Sequence, residues 1–361
     1  MRYNDFRRKT RRVSVGGVYI GADAPISVQS MTNTDTHDVA ATLQQIIALE
    51  ECGCDIVRLA VPDVEAARTF FALKENGIKI PLVADIHFNY KIALEAVAAG
   101  ADKIRINPGN IGERSNTEAV VRACRDKGVP IRIGVNSGSV ERSLLAKYGG
   151  PTAEALAESA LYHVEILEAL DFQDILISVK ASDVPTMIRA NRILAERTDY
   201  PLHLGVTEAG ARRRAIVKSS VGIGALLSEG IGDTLRVSLT EDPTEEIYAA
   251  REILSALKID GVGGMDIVSC PTCGRTKIDL ISLCERFEER VKAEGLDRLN
   301  VKVALMGCAV NGPGEAREAD IGIAGGDGEG LLFKKGVVER KIPEDRLLDE
   351  LISEIKLMKE N

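Results

Sequence analysis

The amino-acid sequence predicts an α/β fold in which a TIM (β/α)8 barrel is followed by a small α+β domain. Short runs rich in β-branched residues recur eight times within about the first 260 residues, and amphipathic segments of helical period separate them. A glycine-rich segment at 260–264 then interrupts the pattern, and a different order of elements follows. A length of 361 residues suits one large domain and a small one, which we assign to residues 1–260 and 265–361.

The barrel elements follow one another evenly. The predicted strands span 26–31, 55–61, 81–87, 103–107, 130–136, 174–181, 202–207 and 234–239. The predicted helical segments span 39–51, 64–76, 90–99, 119–127, 153–170, 185–197 and 244–257, and a hairpin at 13–20 precedes the first strand. The main alternative is a doubly wound open sheet. We favour the barrel because the units are evenly spaced and no Gly-x-Gly-x-x-Gly pattern follows the first strand.

The last hundred residues predict a small α+β domain. Its predicted helices span 277–292 and 344–358, and its predicted strands span 301–306, 321–324, 331–334 and 337–341. In the first helix, Ile278, Ile281, Cys284, Phe287 and Val291 recur at helical spacing, which predicts a buried stripe.

Composition excludes several classes of protein. Hydrophobic residues make up 45% of the chain and charged residues 28%, as in globular proteins. The basic start has no apolar stretch after it, so we read neither a secretory signal nor a membrane span and expect a cytoplasmic protein. With a net charge of −8, nucleic acid is not an expected partner.

The predicted strands carry an unusual number of polar residues. Strands that are buried on both faces are normally apolar, yet these strands or their ends contain Arg58, Asp85, His87, Arg105, Asn107, Arg132, Asn136, Lys180, His203, Arg236 and Ser238. Residues two apart share a face, so Asp85 and His87 point the same way, as do Arg105 and Asn107. In a barrel these side chains meet at the C-terminal mouth, where active sites are built.

The sign of this cluster predicts an anionic ligand. Five cations, at 58, 105, 132, 180 and 236, outnumber Asp85 and Glu208, and arginine forks match phosphate oxygens. A diphosphate is a natural candidate, whereas the structural alternative is a set of ion pairs across the barrel. The glycines at 222, 224, 230 and 232 offer backbone amides to phosphate but fit ordinary turns equally well. We assign no role to His37 or His163.

Three of the seven cysteines indicate a metal site. Cys270, Cys273 and Cys308 lie in loops rich in glycine and proline, whereas the other four fit core packing. A Cys-x-x-Cys pair serves zinc, iron-sulfur clusters and redox dithiols, but no fourth thiolate or later histidine completes a structural zinc site. A redox dithiol leaves Cys308 without a role. Glu315 has the chemistry of an exchangeable fourth ligand, and its alternative is an exposed loop charge.

These motifs together resemble the bacterial family of 4-hydroxy-3-methylbut-2-enyl diphosphate synthases of the non-mevalonate isoprenoid pathway. The resemblance covers essentially the full length. It rests on Pro25-Ile-Ser-Val-Gln-Ser-Met-Thr-Asn-Thr34, Asp85-Ile-His87-Phe88, Arg105-Ile-Asn-Pro-Gly109, Arg132-Ile-Gly-Val-Asn136, Gly205-Val-Thr-Glu-Ala-Gly210, Cys270-Pro-Thr-Cys273-Gly-Arg275 and Met306-Gly-Cys-Ala-Val-Asn-Gly-Pro-Gly-Glu315.

The resemblance implies an oxidoreductase with a [4Fe-4S] cluster held by Cys270, Cys273, Cys308 and Glu315. The expected reaction opens the ring of 2-C-methyl-D-erythritol 2,4-cyclodiphosphate by two-electron reduction with loss of water, and reduced flavodoxin or ferredoxin supplies the electrons. Members of the family form head-to-tail homodimers in which the cluster domain of one subunit closes the barrel mouth of the other.

The resemblance also implies roles for individual barrel residues. The residues expected to hold the diphosphate are Arg105, Arg132, Asn136 and Lys180. Glu208 is expected to supply a proton. Two other functions stay open on the residues alone. One is a non-redox barrel lyase or transferase that acts on a phosphorylated substrate and has a structural metal site, and the other is an iron-sulfur carrier without catalytic activity.

Overall fold

A computed structural model of the protein describes residues 3–259, 264–297, 299–309, 314 and 316–359. The chain divides into two compact units, Met1–Asp260 and Gly261–Asn361. Among the helices that are described, none combines the length and the apolar character needed to cross a bilayer.

The first unit is a barrel of eight parallel strands. These are β3 (Ser27–Met31), β4 (Ile56–Ala60), β5 (Leu82–Asp85), β6 (Lys103–Ile106), β7 (Ile131–Asn136), β8 (Ile175–Lys180), β9 (His203–Leu204) and β10 (Thr234–Leu235). Each strand pairs with the next along the chain, β10 pairs with β3, and a parallel bridge between Ile177 and Leu202 joins β8 to the segment that leads into β9. The sheet is therefore nearly closed, and the predicted barrel is confirmed.

Helices follow the strands around the barrel. They are α1 (Tyr3–Phe6), α2 (Val39–Glu51), α3 (Val64–Glu75), α4 (Tyr90–Ala98), α5 (Arg114–Lys127), α6 (Arg142–Tyr148), α7 (Ala153–Glu168), α8 (Val184–Arg197), α9 (Arg212–Ser228) and α10 (Pro243–Ala256). Side-chain caps begin several of them: Asp63 accepts from the Ala66 amide and Asp183 accepts from the Thr186 amide. Such caps satisfy amides that have no partner in the first turn.

The hairpin of β1 (Val13–Val15) and β2 (Val18–Ile20) covers the N-terminal end of the barrel. Its buried residues Val13, Val15 and Ile20 pack against residues near the starts of three barrel strands, Ile56, Val83 and Leu176. The polar interior of the barrel therefore has an apolar floor.

One expectation about phosphate binding fails in this unit. Gly222 and Gly224 lie inside α9, a helix that the sequence pattern did not reveal, so their amides are not free for a ligand. A Cβ at Gly222 would lie 2.6 Å from the Met187 methyl carbon and 3.0 Å from a Val206 methyl carbon. Close packing of α9 explains this glycine.

The second unit contains a mixed sheet in the order β11-β12-β13-β14-β15. Its strands are β11 (Asp266–Ser269), β12 (Lys302–Met306), β13 (Ile321–Ala324), β14 (Glu329–Lys334) and β15 (Val337–Pro343), and its helices include α11 (Leu280–Ala293) and α12 (Leu347–Lys359). The α+β prediction is confirmed, although β11 was not predicted. The predicted stripe is buried at Ile278, Phe287 and Val291, but Ile281 is 62% exposed and Leu283 lies in the core instead. The buried residues share that core with Leu351 and Ile355 of α12.

Candidate active site

Asp85 is the acidic centre of the barrel mouth. It lies at the end of β5, where a carboxylate oxygen accepts from Arg105 at 3.1 Å and the other lies 3.8 Å from Nε of Arg58. Burial alone would raise the pKa of Asp85, but Arg58 and Arg105 offset that effect and lower it below its usual range. Burial lowers the pKa of Arg58 to about 10, and Asp85 partly opposes the shift. The carboxylate therefore stays ionised between two cations.

Arg105 connects three neighbouring strands. Its guanidinium donates to Asp85 on β5, to Nε2 of His87 at 2.7 Å and to the carbonyl of Gly134 on β7 at 2.8 Å. A Cβ at Gly134 would lie only 2.1 Å from Nε of Arg105, so glycine is needed at this point of β7. Gly134 thus leaves room for the guanidinium of Arg105.

His87 acts as a hydrogen-bond acceptor at the mouth. A guanidinium only donates, so Nε2 of His87 is unprotonated and the neutral ring carries its proton on Nδ1. Burial lowers the pKa of His87, Asp85 opposes that shift, and Arg105 and Arg58 reinforce it. The ring is therefore neutral at pH 7.

Two of the five predicted cations have no described carboxylate partner. Arg132 is 1% exposed and donates to the Gln29 side-chain oxygen at 2.8 Å, and Lys180 is 6% exposed. Burial, reinforced by Arg58 and neighbouring cations, lowers the pKa of both groups well below their usual values. Negative charge from an anionic ligand would favour the protonated form of both groups.

Arg236 has a carboxylate partner that the sequence did not predict. It forms a bidentate pair with Glu246 of α10, with contacts of 3.0 and 2.8 Å. Glu246 also accepts from the Ser30 hydroxyl at 2.7 Å. Arg58 and Arg105 likewise have a partner in Asp85. Only the structure reveals Glu246, because its sequence position gives no sign that it faces the barrel.

The remaining predicted residues occupy different positions around the mouth. The side-chain oxygen of Asn107 accepts from the Gly134 backbone amide at 3.0 Å. Asn136 ends β7, and its backbone amide donates to the Ser139 hydroxyl at 2.9 Å. Ser238 is half-buried beyond β10. Glu208 is exposed after β9 with φ +51, a left-handed conformation that is uncommon for a residue with a side chain. Such outliers concentrate at functional sites.

His203 lies in the barrel interior rather than at an accessible mouth. It is 0% exposed, and its Nδ1 lies 3.4 Å from the Thr234 hydroxyl. Burial lowers its pKa well below the usual value, and Arg132, Lys180 and Lys103 add to the shift. A neutral, enclosed imidazole offers phosphate a hydrogen bond rather than a charge, and substrate binding by His203 stays a prediction.

A cavity of about 430 Å³ adjoins the mouth at the ends of β5, β6 and β7. Its lining includes His87, Arg105, Asn107 and Asn136, four of the predicted residues, together with Phe88, Asn110, Gly138, Ser139, Glu141 and Arg142. The cavity is of a size that suits a small anionic ligand.

Sequence reasoning missed a buried support beside this cavity. His163 of α7 is fully buried, its Nδ1 accepts from the Gly109 amide at 3.2 Å, and its Nε2 lies 2.9 Å from Glu141. The ring therefore links the loop after β6 to the loop after β7. Burial lowers the pKa of His163, and Glu141 opposes the shift. The fully buried position inside a helix gave no signal in the sequence.

The three predicted cluster cysteines belong to the second unit. Cys270 follows β11 and Cys308 follows the neighbouring β12. The Gly307 amide donates to Cys270 Sγ at 3.3 Å, and the Gly307 carbonyl accepts from the Lys277 amide at 2.9 Å. Hydrogen bonds from the Arg275 backbone and side chain lower the pKa of Cys273, which favours the thiolate.

The described thiols have the chemistry of iron-sulfur ligands. No group of three acidic, histidine or cysteine side chains within the described ranges converges on one ion. A four-iron cluster takes its protein ligands at different irons, so its thiolates need not converge. Backbone amides donate to the sulfurs of Cys270 and Cys273, which stabilises their thiolates. Glu315, the predicted fourth ligand, lies outside the described residues.

Comparisons with known proteins cover nearly the whole chain. A family model described as the GcpE TIM-barrel domain matches residues 10–251, and one described as the GcpE protein C-terminal domain matches residues 266–357. A protein from Clostridium perfringens named 4-hydroxy-3-methylbut-2-en-1-yl diphosphate synthase (flavodoxin) is 58% identical over 97% of this chain and 99% of its own. A protein of that name from Geobacter sulfurreducens is 57% identical over 97% of this chain and 98% of its own.

Among solved structures, the barrel is similar to dihydropteroate synthase from Stenotrophomonas maltophilia. The two chains are 17% identical with a TM-score of 0.50, and the match covers 69% of this chain and 98% of that one. This likeness is one of fold alone.

Proposed function

Because the chain belongs to the GcpE family, we propose that it opens 2-C-methyl-D-erythritol 2,4-cyclodiphosphate reductively to 4-hydroxy-3-methylbut-2-enyl diphosphate. The reaction consumes two electrons and releases water. The enzyme is then an oxidoreductase of isoprenoid biosynthesis, and the barrel holds its substrate.

One observation carries this proposal. Arg132, near the start of β7, and Lys180, at the end of β8, are buried basic side chains on adjacent strands, and no described carboxylate pairs with either. Burying an unpaired charge is costly, so such a site is stabilised when an anion arrives. A diphosphate supplies the missing negative charge, and Arg105 is positioned to add a fork at the neighbouring strand end.

Substrate orientation follows from the residues around these cations. We assign diphosphate binding to Arg105, Arg132, Asn136 and Lys180, with Arg58, Asp85, His87 and Asn107 as supports of that site. Asp85 holds both Arg58 and Arg105, and Asn107 fixes the β7 backbone through Gly134. Glu208 is exposed and has a strained backbone conformation. We assign it the role of the acid that protonates the departing hydroxyl.

Cys270, Cys273, Cys308 and Glu315 are the ligands we assign to a [4Fe-4S] cluster. When bound, the cluster delivers the two electrons to the substrate. The hydrogen bond from Gly307 to Cys270 and the lowered pKa of Cys273 stabilise thiolates in this loop. A carboxylate at the fourth position is a weaker ligand for iron than a thiolate, which leaves one iron exchangeable.

Partners and location follow from the same chemistry. We propose flavodoxin, or ferredoxin in its place, as the electron donor, because the relatives carry flavodoxin in their names. We also propose a head-to-tail homodimer in which the cluster of one copy serves the barrel of the other. All seven cysteines are unpaired, which suits the reducing cytoplasm.

Anaerobic turnover of the cyclic diphosphate with reduced flavodoxin tests the function. We expect the wild-type holoenzyme to yield the linear diphosphate, and Arg132→Met to lose at least about tenfold in kcat/KM, since a charge-assisted contact contributes about 1.5–3 kcal/mol. Arg68→Met, which alters an exposed arginine paired with Glu95, is the matched control. A purified holoprotein with zinc, no acid-labile sulfide and no turnover would refute the redox function.

A further inference from the structure

A lysine that no proposed role uses lies deep in the barrel. Lys103 begins β6 and shares the inner face with Arg105, two residues later. Its side chain is 0% exposed, and its Nζ has no hydrogen-bond partner among the described residues. Its strand neighbour Val83 belongs to the apolar floor. Lys103 therefore lies between that floor and the cations of the mouth.

The groups that face Lys103 offer it no negative charge. They are Arg58 on β4, Arg132 on β7 and His203 on β9. The carboxylate of Asp85 on β5 is held between Arg58 and Arg105. Burial lowers the pKa of Lys103 well below its usual value, and Arg132 and Arg58 add to the shift. The empty barrel therefore holds Lys103 as a neutral amine.

Neighbouring polar atoms strengthen this assignment. Nε of Arg132, Nε2 of Gln29, Nε2 of His203 and Oγ of Ser27 are also buried without a described partner. The Arg132 and Gln29 atoms are N–H donors, and none of the four atoms carries a negative charge. No described anion stabilises the protonated form of Lys103 until a negatively charged ligand binds at the mouth.

The proposed reaction brings that charge in two steps. The cyclic diphosphate arrives as a dianion, and cleavage of its carbon–oxygen bond leaves the electron pair on a phosphate oxygen. Two electrons and one proton enter, one water leaves, and the linear diphosphate remains as a trianion. Negative charge beside Arg132 thus grows as the reaction proceeds.

We propose that Lys103 is a proton-uptake site, neutral in the empty barrel and protonated when a diphosphate occupies the mouth. This inference rests on the proposed function, because the diphosphate is its ligand. Protonation of Lys103 balances the charge of the ligand and couples its affinity to pH. The linear trianion raises the pKa of Lys103 more than the cyclic dianion does, because it carries more negative charge.

Calorimetric titration of the oxidised holoenzyme measures this uptake without turnover. Cyclic and linear diphosphates are titrated at pH 8.5 in buffers of different ionisation enthalpy, and the slope of the observed enthalpy gives the protons taken up. We expect wild type to take up close to one proton more than Lys103→Met. Lys103→Arg, whose charge is permanent, is expected to bind the ligands without this uptake.

The outcomes separate this inference from the proposed function. Equal proton uptake by wild type and Lys103→Met would overturn the role of Lys103 while leaving the diphosphate site intact. Absence of binding by wild type would refute both proposals. Should Lys103→Met fold poorly, Lys103→Arg decides: we expect it to take up close to one proton fewer than wild type on binding either diphosphate, and equal uptake by the two refutes the role of Lys103.

Discussion

The four histidines have environments that shift their protonation in opposite directions. Burial lowers the pKa of His203, His163 and His87. The exposed His37 lies between Asp35 and Asp63, and hydrogen bonds to these carboxylates raise its pKa. Folding therefore disfavours protonation at three histidines and favours it at one.

This difference predicts an acid sensitivity that His203 contributes. Below the ordinary histidine pKa of about 6.5, His203 is protonated in the unfolded chain but stays neutral in the folded protein. The free energy of unfolding therefore falls by up to about 1.4 kcal/mol for each unit that the pH drops. Urea unfolding at pH 5.5, 6.5 and 7.5 is the measurement. We expect His203→Gln to have a shallower acid slope than wild type.

His37→Gln is the matched control of opposite sign. The contribution of His37 is complete below its ordinary pKa and is lost as pH rises through its raised value. The His37→Gln variant therefore loses stability at low pH and differs less from wild type at high pH. Parallel pH profiles for both variants and wild type would contradict this account.

Sequence alone identified the residues of the mouth but not all their partners. The alternation along strands placed Asp85 and His87 on one face, and the structure brings both to Arg105. The partner of Arg236 escaped because Glu246 reaches it from a helix after the last strand. A strand pattern reports which face a side chain occupies, whereas ion pairing depends on elements that meet only after folding.

At the scale of elements, strand β7 depends on a missing side chain. Gly134 lies in the strand where Arg105 crosses from β6 to reach its carbonyl. Nothing lies within 4 Å of the position that a Cβ at Gly138 would take, four residues later. The two glycines therefore provide a matched test of space at the mouth.

We predict that Gly134→Ala displaces Arg105 and that Gly138→Ala does not. The new methyl group would meet Nε of Arg105 at 2.1 Å, so the fork must leave Asp85 or Gly134. We expect a loss of about 1–3 kcal/mol in the free energy of unfolding and weaker diphosphate binding, as overpacking usually causes. Thermal unfolding and calorimetry are the measurements. Equal behaviour of the two variants would show that Arg105 is not confined.

The cluster loop has a similar constraint at Gly307. Its amide donates to Cys270, its carbonyl accepts from Lys277, and a Cβ would lie 2.8 Å from the Thr276 methyl carbon. We predict that Gly307→Ala lowers the iron and acid-labile sulfide retained per chain. Gly274→Ala has open space and is the control. Full iron and sulfide content in Gly307→Ala would contradict the constraint.

The sequence predicted most elements because their periodicity is strong. All eight barrel strands lie where β-branched runs indicated them, although β9 and β10 contain only two paired residues each. Helix α9 was missed because its basic start and its many internal small residues, Gly222 and Gly224 among them, blur the apolar stripe. Strand β11 was missed because it is half exposed and no clear alternation marks it.

At the scale of the whole molecule, the proposed function divides between the two units. The diphosphate cations belong to Met1–Asp260, and the three cysteines belong to Gly261–Asn361. The proposed homodimer lets one copy supply the cations while the other supplies the thiolates. Variants that damage one unit each therefore test whether an active site is shared between chains.

We predict that mixed dimers restore activity lost in each parent. Arg132→Met damages the substrate site of the barrel, and Cys308→Ser damages the cluster site. In a mixed head-to-tail dimer, one active site combines the intact barrel of one chain with the intact cluster of the other. Mixing in equal amounts with subunit exchange is expected to recover about a quarter of wild-type turnover, since half of the dimers are mixed and each has one working site. Anaerobic turnover before and after exchange is the measurement. No recovery despite proven exchange would refute sharing.

The N-terminal segment has a consequence for how the chain folds. Arg7 pairs with Asp233 at 2.8 Å, and the hairpin β1–β2 packs on Leu176 of β8. Contacts between such distant positions slow folding, because a long loop must close before they form. The N-terminal segment cannot complete its native contacts until β8 and the segment that contains Asp233 have been synthesised. We therefore expect this segment to dock on the barrel late in folding.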